Sequence, residues 1–432
     1  MSVFRGRLVP VRREFHPVIP ETAAMDTTEF YRQLVGIEAP WRVTDVSLDL
    51  EAGEVTLLLE HGGERVVCPC GRECAVHDHA EERRWRHLDT CQLKTFIRCR
   101  LPRTRCESCG VKTAEPPWAV PHGRFTLLFE GLVIELLLAS RRMSRVASLL
   151  DISEAQVAGV MRRAVARGME GRREEDIRRL CIDEKSMAKG HSYLTVLGDP
   201  ERARVLDVCE TRCREPVEQL LAATLGEEQR KAVESLTMDM WEPFMQAAAK
   251  LPNADIVHDR FHVSMHLNEA VDRTRRRENR RLAGQGADDM KGSKYLFLRN
   301  FENVKPDRIE HFARACEASR DTATVWRYKE VFRSFFDCLG RREAGLFLGH
   351  WYRKAVAEGI PELTAVARTI LSHAKGILAY IKHRVTNAAA ESLNARIQAL
   401  KASARGFRAF KHYRNSILFH LGGLDLMPQK SE

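Results

Sequence analysis

The chain has 432 residues, of which 69 are Lys or Arg and 59 are Asp or Glu, so its formal net charge is +10. With 44% apolar and 30% charged residues it can bury a full core, which excludes a wholly disordered or collagen-like protein. At roughly 100–200 residues per domain, this length predicts two to four domains. The positive balance favours a polyanionic partner only weakly, because any generally basic surface carries it too.

No stretch of the sequence is long and apolar enough to predict a membrane span. The most apolar one, Phe125–Ala139, contains two glutamates and is too short to cross a bilayer. The basic amino terminus, MSVFRGRLVPVRREF, lacks the apolar core of a signal peptide. We therefore expect a cytoplasmic protein. Residues 1–24 are predicted to form a disordered arm, with Met25 as an alternative start.

The cysteines are unevenly distributed. Twelve cysteines without a secretion signal argue against a disulfide framework, and seven of them lie between Cys68 and Cys109. Strand-like alternation precedes them in VTDVSLDL and EVTLLLE. The stretch Arg83–Arg105 holds eight Arg or Lys and one acid, so it is either a phosphate-tracking surface or a solvated strand face. Cys91 and Cys99 fit strand positions facing a core.

A helical region follows. LLFEGLVIELLLAS has apolar residues at helical spacing, and MSRVASLLDISEAQVAGVMRRAV indicates a helix, a tight turn and a second helix. Ser153 is predicted to cap the second helix. The exposed side of that helix would carry Gln156, Arg162 and Arg163 into a major groove. An ordinary αα-hairpin has the same pattern and remains the alternative.

The pattern changes after a charged linker that begins near Glu170. Strand-like LCIDEKS, YLTVLGD and RVLDVCET come in succession, and a helix, SLTMDM, a helix, ADIVHD and a long helix follow. This order predicts an α/β layer with a mixed sheet. Residues 283–385 are helical by pattern, and a late amphipathic helix is predicted to end at Gly406.

Three carboxylates could meet in this layer. Asp183 is predicted to end the first strand and Asp239 the fourth, while Glu391 lies on the late helix. That helix has an apolar stripe for packing on the sheet (Leu393, Ile397, Leu400) and a polar stripe that can face the carboxylates (Asn394, Gln398, Lys401, Arg405). Such a cluster could hold divalent ions for phosphodiester chemistry. The pattern alone leaves open that the aspartates are turn formers and the glutamate a solvated surface residue.

Several segments together resemble the ISL3 family of bacterial insertion-sequence transposases. They are CIDEKSMAKGHSYLTVLGD, SLTMDMWEPFMQA, ADIVHDRFHVSMHLNEAVDRTRR and TNAAAESLNARIQALKASARGFRAF. In the amino-terminal part, CPCGRECAVHDH, RRWRHLD and RCESCGVKTAE resemble the zinc-binding region of the same family. The likeness runs in order from about Met25 to about Leu421, which makes it more specific than any single motif.

The resemblance implies an RNase H-like catalytic domain with a DDE triad. The triad residues fall on Asp183, Asp239 and Glu391, which would bind two Mg²⁺ or Mn²⁺ ions. A D-x-x-H element falls on Asp259 and His262, for which active-site support and a structural hydrogen bond remain equally open. The long interval before Glu391 resembles the helical insertion of this branch.

The cysteine pairs suggest a structural zinc site. Cys106 and Cys109 form a C-x-x-C knuckle that suits tetrahedral Zn²⁺. The partner pair, Cys68 and Cys70, is one residue shorter than the family pattern C-P-x-C-G. A ribbon with these four ligands is the prediction, and a degenerate knuckle with buried, reduced thiols is the alternative. Three further side chains could replace a missing ligand: Cys74, His77 and His79.

The predicted fold class is a multidomain α/β plus all-α protein. An RNase H-like mixed-sheet catalytic domain with a helical insertion follows a zinc-ribbon-like β domain and a helix-turn-helix. The predicted regions are an arm (1–24), a zinc-binding domain (25–122), a helix-turn-helix region (123–175), the first part of the catalytic core (176–282), a helical insertion (283–385) and the carboxy-terminal helices of the core (386–432).

The predicted function is that of a DDE transposase that binds the terminal inverted repeats of its element and then cuts and joins DNA strands. Its expected partners are double-stranded DNA and at least one further copy of the chain, and no membrane. DNA contacts are predicted at Arg83, Arg84, Arg86, Gln156, Arg162, Arg163, Lys401, Arg405, Arg408, Lys411 and Arg414. Six arginines of the helix after Asp259 point in several directions, so not all can reach one strand. A transposase-derived regulator without catalysis and a nuclease without joining are the alternatives.

Overall fold

The structure is a computed structural model that describes residues 26–172, 175–188, 192–211, 213–385, 388–404, 406–407 and 409–428. The predicted arm at residues 1–24 lies outside this part of the chain. The described residues divide into two compact units, 26–132 with Pro428 and 133–427.

The first unit is a helix followed by a six-stranded sheet. Its elements are α1 (Thr27–Val35), β1 (Trp41–Asp49), β2 (Glu54–His61), β3 (Arg65–Val67), β4 (Glu73–Arg86), β5 (Lys94–Cys106) and β6 (Gly110–Thr113). The strand order is β1-β2-β5-β4-β3, with β6 also beside β5. The β2–β5 pair is parallel and the other pairs are antiparallel. The two strands predicted before the cysteines are confirmed as β1 and β2.

Alternating side chains build the core of this unit. Leu57, Ile97 and Cys99 are fully buried, and the ring of Trp118 meets the ring of Trp85 edge to face with centroids 5.7 Å apart. The prediction that Cys99 faces the core is therefore confirmed. The same prediction for Cys91 is wrong, because Cys91 is exposed in the turn between β4 and β5, where its φ is 49°.

The helix-turn-helix pattern is confirmed as local structure. Helix α2 (Leu127–Ser140) precedes α3 (Met143–Leu150) and α4 (Glu154–Gly171). The chain turns at Asp151, whose φ of 49° is left-handed. Ser153 caps α4 as predicted, since its Oγ accepts a hydrogen bond from the Gln156 N–H (3.2 Å) and its own N–H donates to Gln156 Oε1 (2.8 Å).

The α/β layer is a mixed five-stranded sheet, as predicted. Its strands are β7 (Arg179–Ala188), β8 (Ser192–Asp199), β9 (Arg204–Cys209), β10 (Ser235–Met238) and β11 (Asp255–His258), in the order β11-β10-β7-β8-β9. Strand β10 runs parallel to β7 and β11, whereas β8 is antiparallel to β7 and β9. Helices α5 (Arg214–Thr224), α6 (Glu227–Ala232) and α7 (Glu242–Ala247) accompany the sheet, and side chains such as Leu221 and Phe244 share a core with Leu180 and Leu236.

The residues after this sheet are helical, as their pattern predicts. The helices are α8 (Arg260–Ala283), α9 (Lys294–Leu298), α10 (Ile309–Ala318), α11 (Arg320–Phe332), α12 (Arg341–Ala357), α13 (Pro361–Ser372) and α14 (Ala374–His383). They share one apolar core, whose centre includes the buried rings of Phe332, Phe335 and Trp351. Among the described residues, no helix combines the length and the apolar character that a membrane span requires.

Two further helices return to the sheet, α15 (Ala388–Ser403) and α16 (Phe410–Leu421). The predicted apolar stripe of α15 is confirmed, because Leu393, Ile397 and Leu400 are all buried. A Cβ placed on Gly198 of β8 would lie 2.7 Å from Leu393 Cδ1, so this glycine lets the helix pack closely on the sheet. The helix ends at Ser403, three residues before the predicted end at Gly406.

Candidate functional site

Two of the predicted acidic residues lie at the same level on neighbouring strands. Strands β10 and β7 are parallel, and Thr237 pairs with Cys181. Asp239 and Asp183 each follow two residues later, so the register brings them side by side. Asp239 directly follows the last residue of β10, as predicted. The prediction that Asp183 ends its strand is wrong, because β7 continues to Ala188 in order to pair with β8.

Asp183 is half-buried and closely surrounded. Burial raises the pKa of its carboxyl to about 6, the Glu184 N–H opposes this shift, and the charge of Asp239 adds to it. The Glu184 N–H donates to Asp183 Oδ1 at 2.8 Å. The Asn394 side chain, from α15, donates through Nδ2 to Asp183 Oδ2, also at 2.8 Å. The carboxylate is thus held from the strand and from the helix.

The D-x-x-H element lies at the same edge of the sheet. Asp259 is buried and precedes the first residue of α8, although its side chain makes no capping hydrogen bond. His262 is half-buried in the first turn of α8, and its positive charge lowers the pKa of Asp183. The structure therefore brings His262 together with Asp183 and Asp239.

The third predicted acid lies on a helix and not on a strand. Glu391 is exposed on α15, three residues before Asn394. Within the described part of the chain, the carboxylates of Asp183, Asp239 and Glu391 do not form a group whose ligand atoms all lie within 4.8 Å of one another. The helix that carries Glu391 contacts Asp183, but the three acids are not gathered into a closed cluster.

The atoms around Asp183 fit a divalent cation. Asn394 Oδ1 is buried and has no hydrogen-bond partner among the described residues. It is a second oxygen beside the Asp183 carboxylate, and carboxylate and amide oxygens are typical ligands of Mg²⁺ and Mn²⁺. A cation would also offset the repulsion between Asp183 and Asp239.

The first unit holds a tighter group. The Sγ atoms of Cys68, Cys70, Cys106 and Cys109 all lie within 4.8 Å of one another, and Cys70 Sγ is 3.7 Å from Cys106 Sγ. The group does not include the three substitutes considered from the sequence: Cys74, His77 and His79. Four thiols at this spacing match the ligand set of a structural Zn²⁺.

Backbone geometry explains how two short turns form this group. Gly71 and Gly110 have φ values of 89° and 71°, which a glycine adopts without strain. Hydrogen bonds from the backbone of Ser108, and next from that of Cys109, lower the pKa of the Cys106 thiol to about 6. The shortened Cys68–Cys70 pair therefore still lies within 4.8 Å of Cys106 and Cys109, which completes a group of four possible ligands.

Three family models match the chain in order along its length. They are the zinc-finger of transposase IS204/IS1001/IS1096/IS1165 (residues 64–109), the helix-turn-helix domain of transposase family ISL3 (114–165) and the ISL3 DDE model described as transposase (180–417). The last match covers more than half of the chain. The chain belongs to the ISL3 family of transposases.

Curated relatives agree with this assignment. The chain is 27% identical over 374 residues to the transposase for insertion sequence element IS1001 of Bordetella parapertussis, across 83% of this chain and 89% of the relative. It is 26% identical over 418 residues to the transposase for IS1557 of Mycobacterium tuberculosis, across 89% of this chain and 93% of the relative. Zinc ribbon, helix-turn-helix and transposase domain therefore follow one another as expected for this family.

The predicted basic strip of this ISL3 family member is mostly satisfied internally. Arg86 is buried and forms an ion pair with Asp89 at 2.5 Å, so its prediction as a phosphate contact is at odds with the structure. Arg83 donates to the Gly123 carbonyl oxygen at 2.9 Å. Arg84 remains exposed, but it lies 3.4 Å over the ring of Phe96 and bonds Glu54. In the folded chain, these arginines are thus engaged by nearby acids, carbonyl groups and rings, which the sequence does not reveal.

The helix-turn-helix divides its predicted contact residues. Gln156 is engaged in the cap of α4, which gives it a structural task. Arg162 is exposed, while Arg163 is half-buried beside Gly159. Of the three predicted contacts on α4, Arg162 is therefore the one that is exposed and takes no part in the helix cap.

The carboxy-terminal basic residues behave differently from one another. Lys401 donates to the Met187 carbonyl oxygen, whereas Lys411 is exposed. Arg405 and Arg408 lie outside the described residues. Arg414 forms two hydrogen bonds of 2.6 Å with the buried Asp207, so its prediction as a phosphate contact is at odds with the structure.

The arginine run on α8 is largely paired with acids. Five of its six members have a carboxylate partner: Arg273 with Glu269, Arg275 and Arg276 with Asp272, Arg277 with Glu278, Asp321 and Glu362, and Arg281 with Glu278. Of these pairs, those of Arg277 with Asp321 on α11 and Glu362 on α13 link α8 to other helices, and the others lie within α8.

Sequence reasoning missed two features. The first is the contact of Asn394 with Asp183. The sequence predicts that the polar stripe of α15 faces the carboxylates, but it does not indicate which residue of the stripe contacts an acid. The second feature is a group of three arginines, Arg141 and Arg142 between α2 and α3 and Arg145 in the first turn of α3, in a segment, RRMSR, that contains no acid to neutralise them.

Proposed function

We propose that this ISL3 family member is a DDE transposase that binds the terminal inverted repeats of its element, cuts DNA strands with a metal-activated water and joins 3′-hydroxyl ends to target DNA. The observation that carries the proposal is the side-by-side placement of Asp183 and Asp239 on parallel strands, with α15 bonded to Asp183. Its family membership supports a DNA-processing enzyme.

We also infer that the catalytic domain is RNase H-like. Numbered within the domain, its strands lie in the order 5-4-1-2-3, with the second strand antiparallel and the first, fourth and fifth parallel. This is the arrangement expected of an RNase H-like sheet, and the helices after β11 stand where a helical insertion is expected.

Within this proposal, each acid has a task. Asp183 and Asp239 would hold two Mg²⁺ or Mn²⁺ ions, and Glu391 would complete one of the two sites. When bound, the ions would activate the attacking water or 3′-hydroxyl and stabilise the leaving oxygen. Asn394 donates to Oδ2 of Asp183 and so fixes the orientation of that carboxylate. The electrostatic interaction with His262 lowers the pKa of Asp183 and so favours its ionised form.

DNA recognition is assigned to the other parts of the chain. Helix α4 would enter the major groove with Arg162, and the zinc ribbon would contribute a further contact to the same end. Both ends of an element must be handled together, so we infer that the active species contains at least two copies of the chain.

Three substitutions test the triad. Asp183→Asn, Asp239→Asn and Glu391→Gln should each lower Mg²⁺-dependent strand cleavage by roughly 1,000-fold or more, because each removes a metal ligand and several kcal/mol of transition-state stabilisation. Binding to a duplex that carries an element end should change less than about twofold. Glu227→Gln, which removes an exposed acid on α6, is the matched control and should cleave like the parent. Retained cleavage in any triad variant would sink the assignment of that residue.

The same assay on paired-end DNA separates the alternatives. Cleavage followed by joining supports a transposase, and cleavage without joining supports a nuclease. End binding without either reaction supports a regulator without catalysis.

A further inference from the structure

An open pocket of about 640 Å³ lies where the first helix of the helix-turn-helix begins. Its lining consists of three arginines and four serines: Ser140, Arg141, Arg142, Ser144, Arg145, Ser148 and Ser403. We call it the arginine–serine pocket. Six of these residues come from the end of α2 and from α3, and Ser403 is the last residue of α15, the helix that bonds Asp183.

The charge of this pocket is not compensated by the lining, which contains no acid. Within the part of the chain that the structure describes, the guanidinium groups of Arg141, Arg142 and Arg145 form no ion pair with a carboxylate. This sets them apart from the arginines of α8, five of which are neutralised by acids. Three guanidinium groups at one opening repel one another, and an anion between them would relieve that repulsion.

The positive charge of these arginines also affects a neighbouring histidine. His420 of α16 has its pKa lowered to about 4, first by burial and then by the positive charge of Arg141. The backbone adds to the effect, because the first N–H groups of α3 have no acceptor within the helix and Arg142 provides no side-chain cap. Both observations indicate a positive potential at this opening.

The chemistry of the lining suits the phosphates of a DNA backbone. Guanidinium groups bind phosphate oxygens with two parallel hydrogen bonds, and serine hydroxyls are common donors to the DNA backbone. A volume of about 640 Å³ exceeds what one small ion needs and suits a stretch of phosphodiester backbone with its sugar.

We propose that the arginine–serine pocket binds a backbone phosphate of the DNA duplex and thereby fixes the duplex between the helix-turn-helix and α15. This inference deepens the proposed function and rests on it. Ser403 lies nine residues after Asn394 on α15, about 14 Å along a helix that rises 1.5 Å per residue. A strand that follows α15 and rises 3.4 Å per nucleotide would have its pocket phosphate about four nucleotides from the carboxylates.

The test compares two triple variants that remove the same charge. Arg141→Ala/Arg142→Ala/Arg145→Ala empties the pocket of its cations, whereas Arg273→Ala/Arg276→Ala/Arg281→Ala removes exposed arginines that are paired with acids. Affinity is measured by fluorescence anisotropy for a duplex with an element end and for a scrambled duplex, across a series of salt concentrations. The melting temperature and the zinc content of each variant establish that it is folded.

The pocket variant should bind both duplexes roughly tenfold or more weakly, and to the same extent, because phosphate contacts position the DNA without reading its sequence. The slope of log affinity against log salt should become shallower by about 0.9 for each phosphate that the variant no longer neutralises. The α8 variant should stay within about twofold of the parent. Replacing the three pocket arginines with lysine should restore most of the salt slope, since the charge returns without the bidentate geometry.

A second measurement locates the contact without relying on one variant. Single phosphates along the end duplex are replaced, one at a time, by neutral methylphosphonates. The replacement that weakens DNA binding by the parent should cause no further loss of affinity in Arg145→Ala or Ser403→Ala.

Each outcome decides a different question. Failure of the parent to bind either duplex contradicts the proposed function itself. An unchanged salt slope in the pocket variant, with the parent binding normally, overturns the pocket proposal alone. Inorganic phosphate could also raise the melting temperature of the parent but not that of the pocket variant, while the two proteins bind DNA with equal affinity. That result would show a site for a free anion and would overturn the pocket proposal.

Discussion

The molecule has two regions suited to metal ions, and they differ in how complete they are. In the first unit, four cysteine sulfurs lie within 4.8 Å of one another. In the second unit, Asp183 and Asp239 are neighbours across β7 and β10, while Glu391 is exposed on α15. The cysteine group is already assembled, whereas the carboxylate site is only outlined.

The difference follows from charge and from chain connection. Two short turns of neighbouring strands deliver the four thiols, which are neutral when protonated and pack together at little cost. The three carboxylates come from three separate elements and repel one another when ionised, so their approach requires a cation. The cysteine group is therefore suited to a structural zinc that belongs to the fold of the first unit.

The largest expected effect comes from breaking the assembled site. Cys106→Ser with Cys109→Ser should remove one zinc per chain and unfold the β3–β6 part of the first sheet, because structural zinc contributes on the order of 10 kcal/mol in small zinc domains. Elemental analysis and limited proteolysis measure the two effects. Cys74→Ser is the control and should keep its zinc, since Cys74 lies outside the group of four. A parent protein without zinc would contradict the ribbon.

A smaller effect is expected from loosening the outlined site. Asn394→Ala removes the donor that orients the Asp183 carboxylate, so the Mg²⁺ concentration needed for half-maximal cleavage should rise by about 10- to 100-fold. The rate at saturating Mg²⁺ should fall much less, which separates a positioning role from loss of a ligand. Gln398→Ala, one turn further along α15, should titrate like the parent. Equal Mg²⁺ curves for Asn394→Ala and the parent would rule out the positioning role.

The smallest expected effect concerns the packing behind the carboxylates. His258, which ends β11 next to Asp259, is buried, and burial lowers its pKa to about 4. Its pKa in the unfolded chain is about 6.5, so the folded state binds fewer protons between these values, and the contribution to stability is lost as the pH falls from 6.5 towards 4. From pH 7 to pH 5.5, this loss should amount to about 1 kcal/mol.

Urea unfolding of the parent and of His258→Gln at both pH values measures this effect. The variant should lose about 1 kcal/mol less than the parent between them, whereas His412→Gln, which changes an exposed histidine, should follow the parent. An identical pH dependence in His258→Gln and the parent would show that this edge of the sheet is open to water.

Regular patterns in the sequence were sufficient for much of the fold. The stripe of Leu393, Ile397 and Leu400 predicted which face of α15 packs on the sheet, and Ser153 marked the start of α4. Both features depend on local spacing along one element, which is visible in a single sequence. Short segments with clear ends also predict the succession of strands and helices along the chain in the α/β layer, but not the order of the strands in the sheet.

Predictions that depend on how side chains and strands pair in the folded chain are less complete. Arg86 and Arg414 were assigned to DNA because they lie in basic stretches, but Asp89 and Asp207 neutralise them in the folded chain. The sequence pattern predicts that Asp183 ends its strand, whereas pairing with β8 carries β7 five residues further. Tertiary pairing decided these cases, and the sequence alone does not show it.

The bond between Asn394 and Asp183 also bears on the order in which this protein matures on the ribosome. The two residues are 211 positions apart, so the contact cannot form until most of the chain has been synthesised. The cysteine group uses only residues between Cys68 and Cys109 and can assemble much earlier, since domains generally fold as units from the amino terminus. On a nascent chain, the zinc ligands would thus be complete long before Asn394 can reach Asp183.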